Sequence, residues 1–221
     1  MEMFRTRFSI IVSLLLPLAA SACSHNAGSA SQEAVEAVAD STPKPAPAAL
    51  QPLPALPDRP TGTAFIVVSK RDQTLSVYDR GPAGDTVMVA QFPCCMGKNK
   101  GNKVKRGDMR TPESPAGKPF KITMIQDASS WHHDFKDGRG SILAYGHWFL
   151  RLATPGHKGI GIHGSTNNEH TVPGRASEGC IRLLDKDIIT LKEHFAYVGM
   201  PVTVQPEGTA PMPWELRARQ R

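Results

Sequence analysis

A histidine and a cysteine lie 17 positions apart in two glycine-containing segments. His163 ends the run Gly159–His163 (GIGIH), and Cys180 lies within Ser177–Leu183 (SEGCIRL). A cysteine attacks a carbonyl carbon as the thiolate, and a histidine within hydrogen-bonding distance stabilises that form and later protonates a leaving amine. The loop between the two segments can fold back and bring these side chains together. The residue types therefore predict acyl transfer, with Cys180 as the nucleophile and His163 as its base.

Three neighbours of this pair suit supporting roles. Gly179 allows the backbone to approach a substrate closely, and the amide N–H of Cys180 is the first candidate donor to an oxyanion. The carbonyl of Gly164 is free to orient the His163 ring. Arg182 would share a strand face with Cys180 and could hold a substrate carboxylate through a bidentate contact. A structural salt bridge is the alternative role for Arg182.

The elements that must position these residues are mostly strands. One helix is predicted over Asp185–Phe195, with Asp185 as its N-cap and an apolar face that includes Ile188 and Leu191. Runs rich in β-branched or aromatic residues predict the strands. They are Thr63–Ser69, Thr74–Tyr78, Thr86–Phe92, Phe120–Ile125, Ser141–Leu152, Gly159–His163 and Pro201–Val204.

The first residues have the pattern of an export signal. Arg5 and Arg7 precede an apolar run over residues 8–20, which is shorter than the roughly 20 residues needed to span a bilayer. Residues 1–22 are therefore predicted to be a signal peptide. Small residues at positions 20–22 suit an ordinary signal peptidase, whereas Cys23 directly after them suits lipid attachment, and both remain open.

The rest of the chain divides by composition. Residues 23–60 are rich in Ala and Pro and predict a semi-rigid tether. Residues 61–205 form the predicted folded domain. Residues 206–221 are polar or broken by proline and predict a loose tail, which Trp214 could hold against the domain.

Composition narrows the function classes. The chain has 221 residues and a net charge of +6, and its densest basic stretch, residues 98–110, has no aromatic residues between the charges, so nucleic acid is not expected as a partner. Attraction to a carboxylate-bearing polymer and a merely solvated loop are equally compatible with it. No Cys-x-x-Cys pair or His-Glu-x-x-His helix predicts a metal, and no cofactor is expected. Cys94 and Cys95 are predicted to be buried core thiols.

The segments around His163 and Cys180 resemble the catalytic motif of the L,D-transpeptidase (YkuD-like) family. The shared pattern is His-Gly, a polar spacer, and Ser-x-Gly-Cys-Ile-Arg-Leu, and Gly107–Pro112 (GDMRTP) is similar to that family's Thr-Pro segment before a strand. The resemblance extends over about residues 63–204. It implies a mainly β fold with some α structure, namely a β-sandwich with a mixed sheet and one prominent helix after Cys180.

The resemblance also implies a function and further site residues. Family members place substrate-facing aromatic residues near Tyr145 and His147, so both are expected in the cleft, and the motif makes Ser177 a supporting residue. Many members carry His where this chain has Glu178, so a proton-handling role does not transfer to that position.

The implied activity is that of an exported, periplasmic bacterial enzyme acting on the stem peptides of peptidoglycan through a thioester on Cys180. Carbapenem β-lactams are the expected inhibitors, and the acceptor would be an amine of another stem or of a wall-linked lipoprotein. The only expected membrane attachment is a lipid anchor at Cys23. Water as the acceptor would instead make the protein a thiol amidase or carboxypeptidase. A non-catalytic peptidoglycan-binding lipoprotein is the third alternative.

Overall fold

A computed structural model describes residues 53–219 of the chain, the side chain of Arg219 excepted. The predicted signal peptide, Cys23 and most of the predicted tether lie outside the described residues. Among residues 53–219, no helix has the length and apolar character needed to cross a bilayer.

Most secondary-structure elements of the described residues are strands, as the β-branched runs predict. The elements, in chain order, are β1 (Phe65–Ser69), β2 (Thr74–Arg80), β3 (Thr86–Pro93), β4 (Cys95–Gly97), β5 (Phe120–Asp127), β6 (His132–Asp134), β7 (Ser141–Leu143), β8 (Trp148–Leu152), β9 (Gly161–His163), β10 (Gly174–Ser177), β11 (Ile181–Arg182), α1 (Asp185–His194), β12 (Pro201–Val204) and α2 (Pro213–Arg219).

Ten of these strands form one mixed sheet in the order β10-β4-β11-β9-β8-β5-β12-β1-β2-β3. The strands β1, β2 and β3 form an antiparallel meander, and β12 joins β1 in parallel. Strand β5 pairs with β12 on one side and with β8 on the other, so it connects the meander to the half of the sheet that carries His163. The remaining strands, β6 and β7, form a separate hairpin.

Both halves of the sheet contribute to one hydrophobic core. Ile66 and Val77 of the meander belong to the same buried cluster as Leu150 and Ile162 of the other half. Helix α1 adds Ile188 and Leu191, both fully buried, and full burial of such a side chain contributes about 2 kcal/mol. The mainly β fold with a mixed sheet and one prominent helix after Cys180 is confirmed.

Three local predictions differ from the structure. The run Ser141–Leu152 is not one strand: it is divided between β7 and β8, because Gly146 takes a left-handed conformation (φ +66°) between them. Asp185 is not the N-cap of α1, which is Leu184. Residues 213–219 form helix α2 where the composition favours a loose tail, and Trp214 packs its ring against Phe65 and Tyr78 of the meander.

Candidate active site

His163 is the last residue of β9 and is only 3% exposed. Its Nδ1 lies 2.7 Å from the carbonyl oxygen of Gly164, which is the contact expected from the sequence. A carbonyl oxygen can only accept, so Nδ1 carries a proton and the neutral ring presents Nε2 as a proton acceptor. The ring also lies 4.8 Å from the ring of Tyr145 and stacks on Phe149 at 5.5 Å.

Cys180 is partly exposed and directly precedes β11. Strands β9 and β11 are parallel neighbours, with Arg182 opposite His163 in the register. This pairing brings the thiol and the imidazole to one cavity although 17 positions separate them in sequence. Among the described residues, the thiol donates a hydrogen bond to the carbonyl of Gly159 at 3.4 Å, and none joins it to the His163 ring.

The turn before Cys180 is fixed by its own hydrogen bonds. The hydroxyl of Ser177 donates to the carbonyl of Cys180 at 2.6 Å and accepts from the amide of Gly179 at 3.1 Å. Gly179 has φ +137°, and a Cβ atom there would lie 2.8 Å from the carbonyl oxygen of Arg110. Ser177 and Gly179 therefore shape the turn, and the Gly179 amide is already occupied as a donor.

An open cavity of about 310 Å³ contains both reactive side chains. Basic side chains predominate among its charged groups. Its lining comprises Lys103, Arg106, Gly107, His133, Phe135, Tyr145, Lys158, Gly159, Ile160, His163, Ser177, Glu178, Cys180 and Arg182.

The surroundings of the pair disfavour the charged form of both side chains. Burial, with a smaller effect of Arg182, lowers the pKa of His163 to about 3, against the opposing hydrogen bond to Gly164. Desolvation raises the pKa of the Cys180 thiol, although the amide of Gly161 and the charges of Arg182 and Lys103 act in the other direction. Both shifts favour a neutral thiol beside a neutral imidazole.

Arg182 is 3% exposed and forms no salt bridge within the described part of the chain. Its guanidinium lies 4.9 Å from the centre of the Phe135 ring, and its Nε has no hydrogen-bond partner. Burial lowers its pKa. The structural salt bridge considered from the sequence is absent here, which leaves a buried cation directed at the cavity.

The hairpin of β6 and β7 supplies one wall of the site. His133 of β6 lies 3.4 Å from the hydroxyl of Tyr145 through Nδ1 and 3.4 Å from a carboxylate oxygen of Glu178 through Nε2. Phe135 follows β6 and lines the same cavity. Tyr145 therefore lies in the cleft, as predicted.

His147, also expected in the cleft, does not line the cavity. Its side chain is exposed, and its carbonyl accepts a hydrogen bond from Ala128 at 2.9 Å. The expectation is wrong because Gly146, in its left-handed conformation, turns the chain between Tyr145 and His147. Two residues that would share a strand face are thereby directed to different surroundings.

A sequence profile of the YkuD family, described as L,D-transpeptidase catalytic domain, matches residues 63–204. That range is more than half of the chain and includes His163 and Cys180. The chain belongs to this family. No curated protein sequence matches it at a significant level.

Solved structures with a similar fold share little sequence with this L,D-transpeptidase family member. Bd1075 of Bdellovibrio bacteriovorus is 20% identical, with a TM-score of 0.48, over 76% of this chain and 58% of that one. An L,D-transpeptidase from Mycobacterium smegmatis is 20% identical, with a TM-score of 0.43, over 64% and 58%. Pgp2, a helical cell shape determining protein from Campylobacter jejuni, is 18% identical, with a TM-score of 0.46, over 71% and 52%. The matches span less than two thirds of each of these chains.

The basic stretch around residues 98–110 contributes to the site of this family member in a way the sequence analysis missed. Asp108 accepts hydrogen bonds from Lys103 Nζ at 2.8 Å and from the amides of Val104, Lys105 and Arg110. Together these donors hold the pKa of Asp108 far below its usual range. The loop is thus folded around a buried ion pair, and Lys103 lies against Gly179 on the cavity wall. Nothing local distinguishes Lys103 from the other cations of the stretch.

Asp185 is a second residue whose role sequence reasoning missed. Its carboxylate accepts hydrogen bonds from the amide of Ser165, at 2.7 Å, and from the hydroxyl of Thr166. Both donors lie in the loop that follows Gly164. Asp185 therefore connects the start of α1 to the loop whose carbonyl orients His163.

Cys94 and Cys95 are fully buried and form no disulfide, as the prediction of core thiols requires. Desolvation raises the pKa of Cys94. Among the described residues, no cluster of three or more His, Cys, Asp or Glu side chains is arranged to hold a metal ion.

Proposed function

We propose that this protein is an exported, cysteine-dependent L,D-transpeptidase that acts on peptidoglycan stem peptides through a thioester on Cys180. The observation that carries the proposal is the meeting of Cys180, His163 and the unpaired Arg182 in one open cavity. Membership of the L,D-transpeptidase family supports the substrate class.

The first half-reaction transfers a stem acyl group to sulfur. The Cys180 sulfur attacks the carbonyl carbon of the third stem residue while its proton passes to Nε2 of His163. Because the surroundings favour the neutral form of both groups, the proton moves during the attack. The imidazolium then gives this proton to the amine of the terminal D-amino acid, which leaves as the thioester forms.

The amide of Cys180 is the donor best suited to the oxyanion of the tetrahedral intermediate. The neighbouring Gly179 amide already donates to Ser177, which leaves Cys180 as the donor closest to the new bond. Gly164 and Ser177 act as positioning residues, through the ring of His163 and the turn before Cys180.

Arg182 binds a stem carboxylate. A buried guanidinium without an anionic partner is costly, and a carboxylate that enters the cavity removes that cost. The charges of Lys103, Arg106 and Lys158 along the same cavity favour the approach of an anionic peptide.

In the second half-reaction, an amine of another stem or of a wall-linked lipoprotein attacks the thioester. His163 receives a proton from the attacking nitrogen and returns it to the sulfur. Water in place of the amine would give a tripeptide stem and a carboxypeptidase activity from the same residues.

Two substitutions and one inhibitor test this function. Cys180→Ala and His163→Ala should each lower turnover of purified muropeptides at least about 1,000-fold, because each removes a group that every turnover requires. Mass spectrometry of the products follows both cross-linking and hydrolysis. Either variant keeping more than a few per cent of the wild-type kcat would refute the assigned mechanism.

In the same experiment, a carbapenem should form an adduct on Cys180 alone. Cys94 and Cys95 are fully buried and should stay unmodified. If peptide mapping finds the adduct on either of them, the assignment of Cys180 as the nucleophile is wrong. A folded protein that forms no adduct and turns over no muropeptide would instead be a peptidoglycan-binding module.

A further inference from the structure

We infer that Glu178 is the binding residue for the cationic amine of the acceptor, an inference that rests on the proposed function. The geometry of its surroundings, and not its place in the motif, carries this assignment.

Glu178 stands between two cavities. The second cavity, of about 330 Å³, shares four lining residues with the first: Phe135, Ser177, Glu178 and Arg182. Glu178 is the one acidic side chain in that shared wall. An acceptor that enters through the second cavity would meet this carboxylate two positions from the thioester on Cys180.

The carboxylate of Glu178 is available to a ligand. Its side chain is 46% exposed, and within the described residues its contact with a basic side chain is a long one, 3.4 Å from Oε2 to His133 Nε2. By contrast, Asp137 in the second cavity is paired with Arg139 at 2.7 Å. Among the described acidic side chains that line the second cavity, Glu178 is therefore the one without a salt bridge to a lysine or arginine.

Its position is held from both sides. The hydrogen bonds of Ser177 fix the turn that carries Glu178. His133 holds the side chain from the hairpin and is itself in contact with the hydroxyl of Tyr145. A carboxylate that is positioned and partly exposed can bind an ammonium ion with a charge-assisted hydrogen bond.

The chemistry of the transfer needs such a site. A thioester and an ammonium ion give an amide, the Cys180 thiol and one proton, so the nitrogen loses two protons in all. One returns to the sulfur through His163, and the other leaves to water at the open end of the cavity. Water competes for the thioester at far higher concentration, and a carboxylate that retains the ammonium near the sulfur favours transfer over hydrolysis.

The test compares two nucleophiles with the full-length protein and a tetrapeptide muropeptide as donor. D-Alaninamide is mainly cationic at pH 7, whereas hydroxylamine is neutral. Glu178→Gln should raise the half-saturating concentration of D-alaninamide at least about tenfold, since a hydrogen bond to a charged group contributes about 1.5–3 kcal/mol. The half-saturating concentration of hydroxylamine should change less than about twofold. Glu193→Gln, which removes an exposed carboxylate from α1, is the matched control and should change neither.

The outcomes separate this inference from the proposed function. Equal values for wild type and Glu178→Gln with D-alaninamide would overturn the inference and leave the transpeptidase intact. An equal loss with both nucleophiles would also overturn it, because Glu178 would then act on the acyl-enzyme. Wild-type protein that hydrolyses the donor and transfers it to neither nucleophile would overturn the transpeptidase function, and the acceptor site with it.

Discussion

The surroundings of the Cys180 thiol and of the His163 imidazole favour the neutral form of both groups. Burial disfavours the charged form of each group, so it lowers the pKa of the basic His163 and raises the pKa of the acidic Cys180. The nearby charges of Arg182 and Lys103 oppose the second shift but do not reverse it. A neutral pair keeps the thiol protonated in the resting site.

This charge state predicts how alkylation of Cys180 depends on pH. His163, with a pKa of about 3, is neutral throughout the range from pH 5 to pH 9, so only the thiol titrates there. Because its pKa lies above the ordinary value of 9.0, the rate of reaction with iodoacetamide should rise about tenfold per pH unit up to about pH 9. Peptide mapping assigns the label, and Cys180→Ala measures the background. A plateau below pH 7 would instead show a thiolate–imidazolium pair.

At the scale of elements, the end of β9 and the start of α1 determine where His163 points. Gly164 and Gly146 touch closely, and a Cβ atom on either would lie 2.7 Å from the Cα of the other. The carboxylate of Asp185 adjoins both glycines and holds the loop after Gly164. No single segment contains this junction, since it joins residues 146, 164 and 185.

Asp185→Ala should therefore damage both stability and activity. The substitution leaves the amide of Ser165 and the hydroxyl of Thr166 without their acceptor, which should lower the free energy of unfolding by about 2–3 kcal/mol. Urea unfolding measures this loss, and kcat should fall with KM little changed, since the orientation of His163 is what loosens. Asp187→Ala is the matched control from the same helical turn. Burial raises the pKa of Asp187, so its loss should cost less than about 1 kcal/mol. If the two substitutions lowered the free energy of unfolding and kcat equally, the cause would be the loss of a negative charge at the start of the helix and not the loss of the contacts of Asp185.

At the scale of the whole molecule, the termini of the described chain are attached to the domain. Trp214 of α2 lies 5.0 Å from Tyr78 and 5.6 Å from Phe65, measured between ring centres. The carbonyl of Pro57, in the predicted tether, accepts a hydrogen bond from His194 at 2.7 Å. The tether therefore reaches the domain beside α1.

Lipid attachment at Cys23 is a prediction about the whole chain that cell fractionation can check. Cys23→Ser should move the protein from the membrane fraction to the soluble fraction, because the lipid is the only anchor proposed. Ser24→Ala, at the adjacent position, should leave it with the membrane. Wild-type protein recovered in the soluble fraction would refute the lipid anchor without affecting the proposed activity.

Most of the secondary structure followed from the sequence. Hydrophobic and β-branched runs are local, so β1, β2, β3, β12 and α1 lie within a few residues of their predicted bounds. The prediction was wrong at Ser141–Leu152 and at the N-cap of α1. In both places a contact with a distant segment decided the conformation: Gly146 against Gly164, and Asp185 against Ser165 and Thr166.

The sequence by itself predicted the residues of the candidate site, because a cysteine, a histidine and an arginine in glycine-containing segments are recognisable by type and spacing. Only the tertiary structure gave the directions in which the pKa values of His163 and Cys180 shift, since desolvation depends on everything packed around them. The tertiary structure also showed that His133, and not His147, lines the cavity, and that Lys103 and Glu178 are among the charged residues that do so. Charge interactions and burial join residues that are far apart in the chain, and a pattern read along one dimension does not contain those distances.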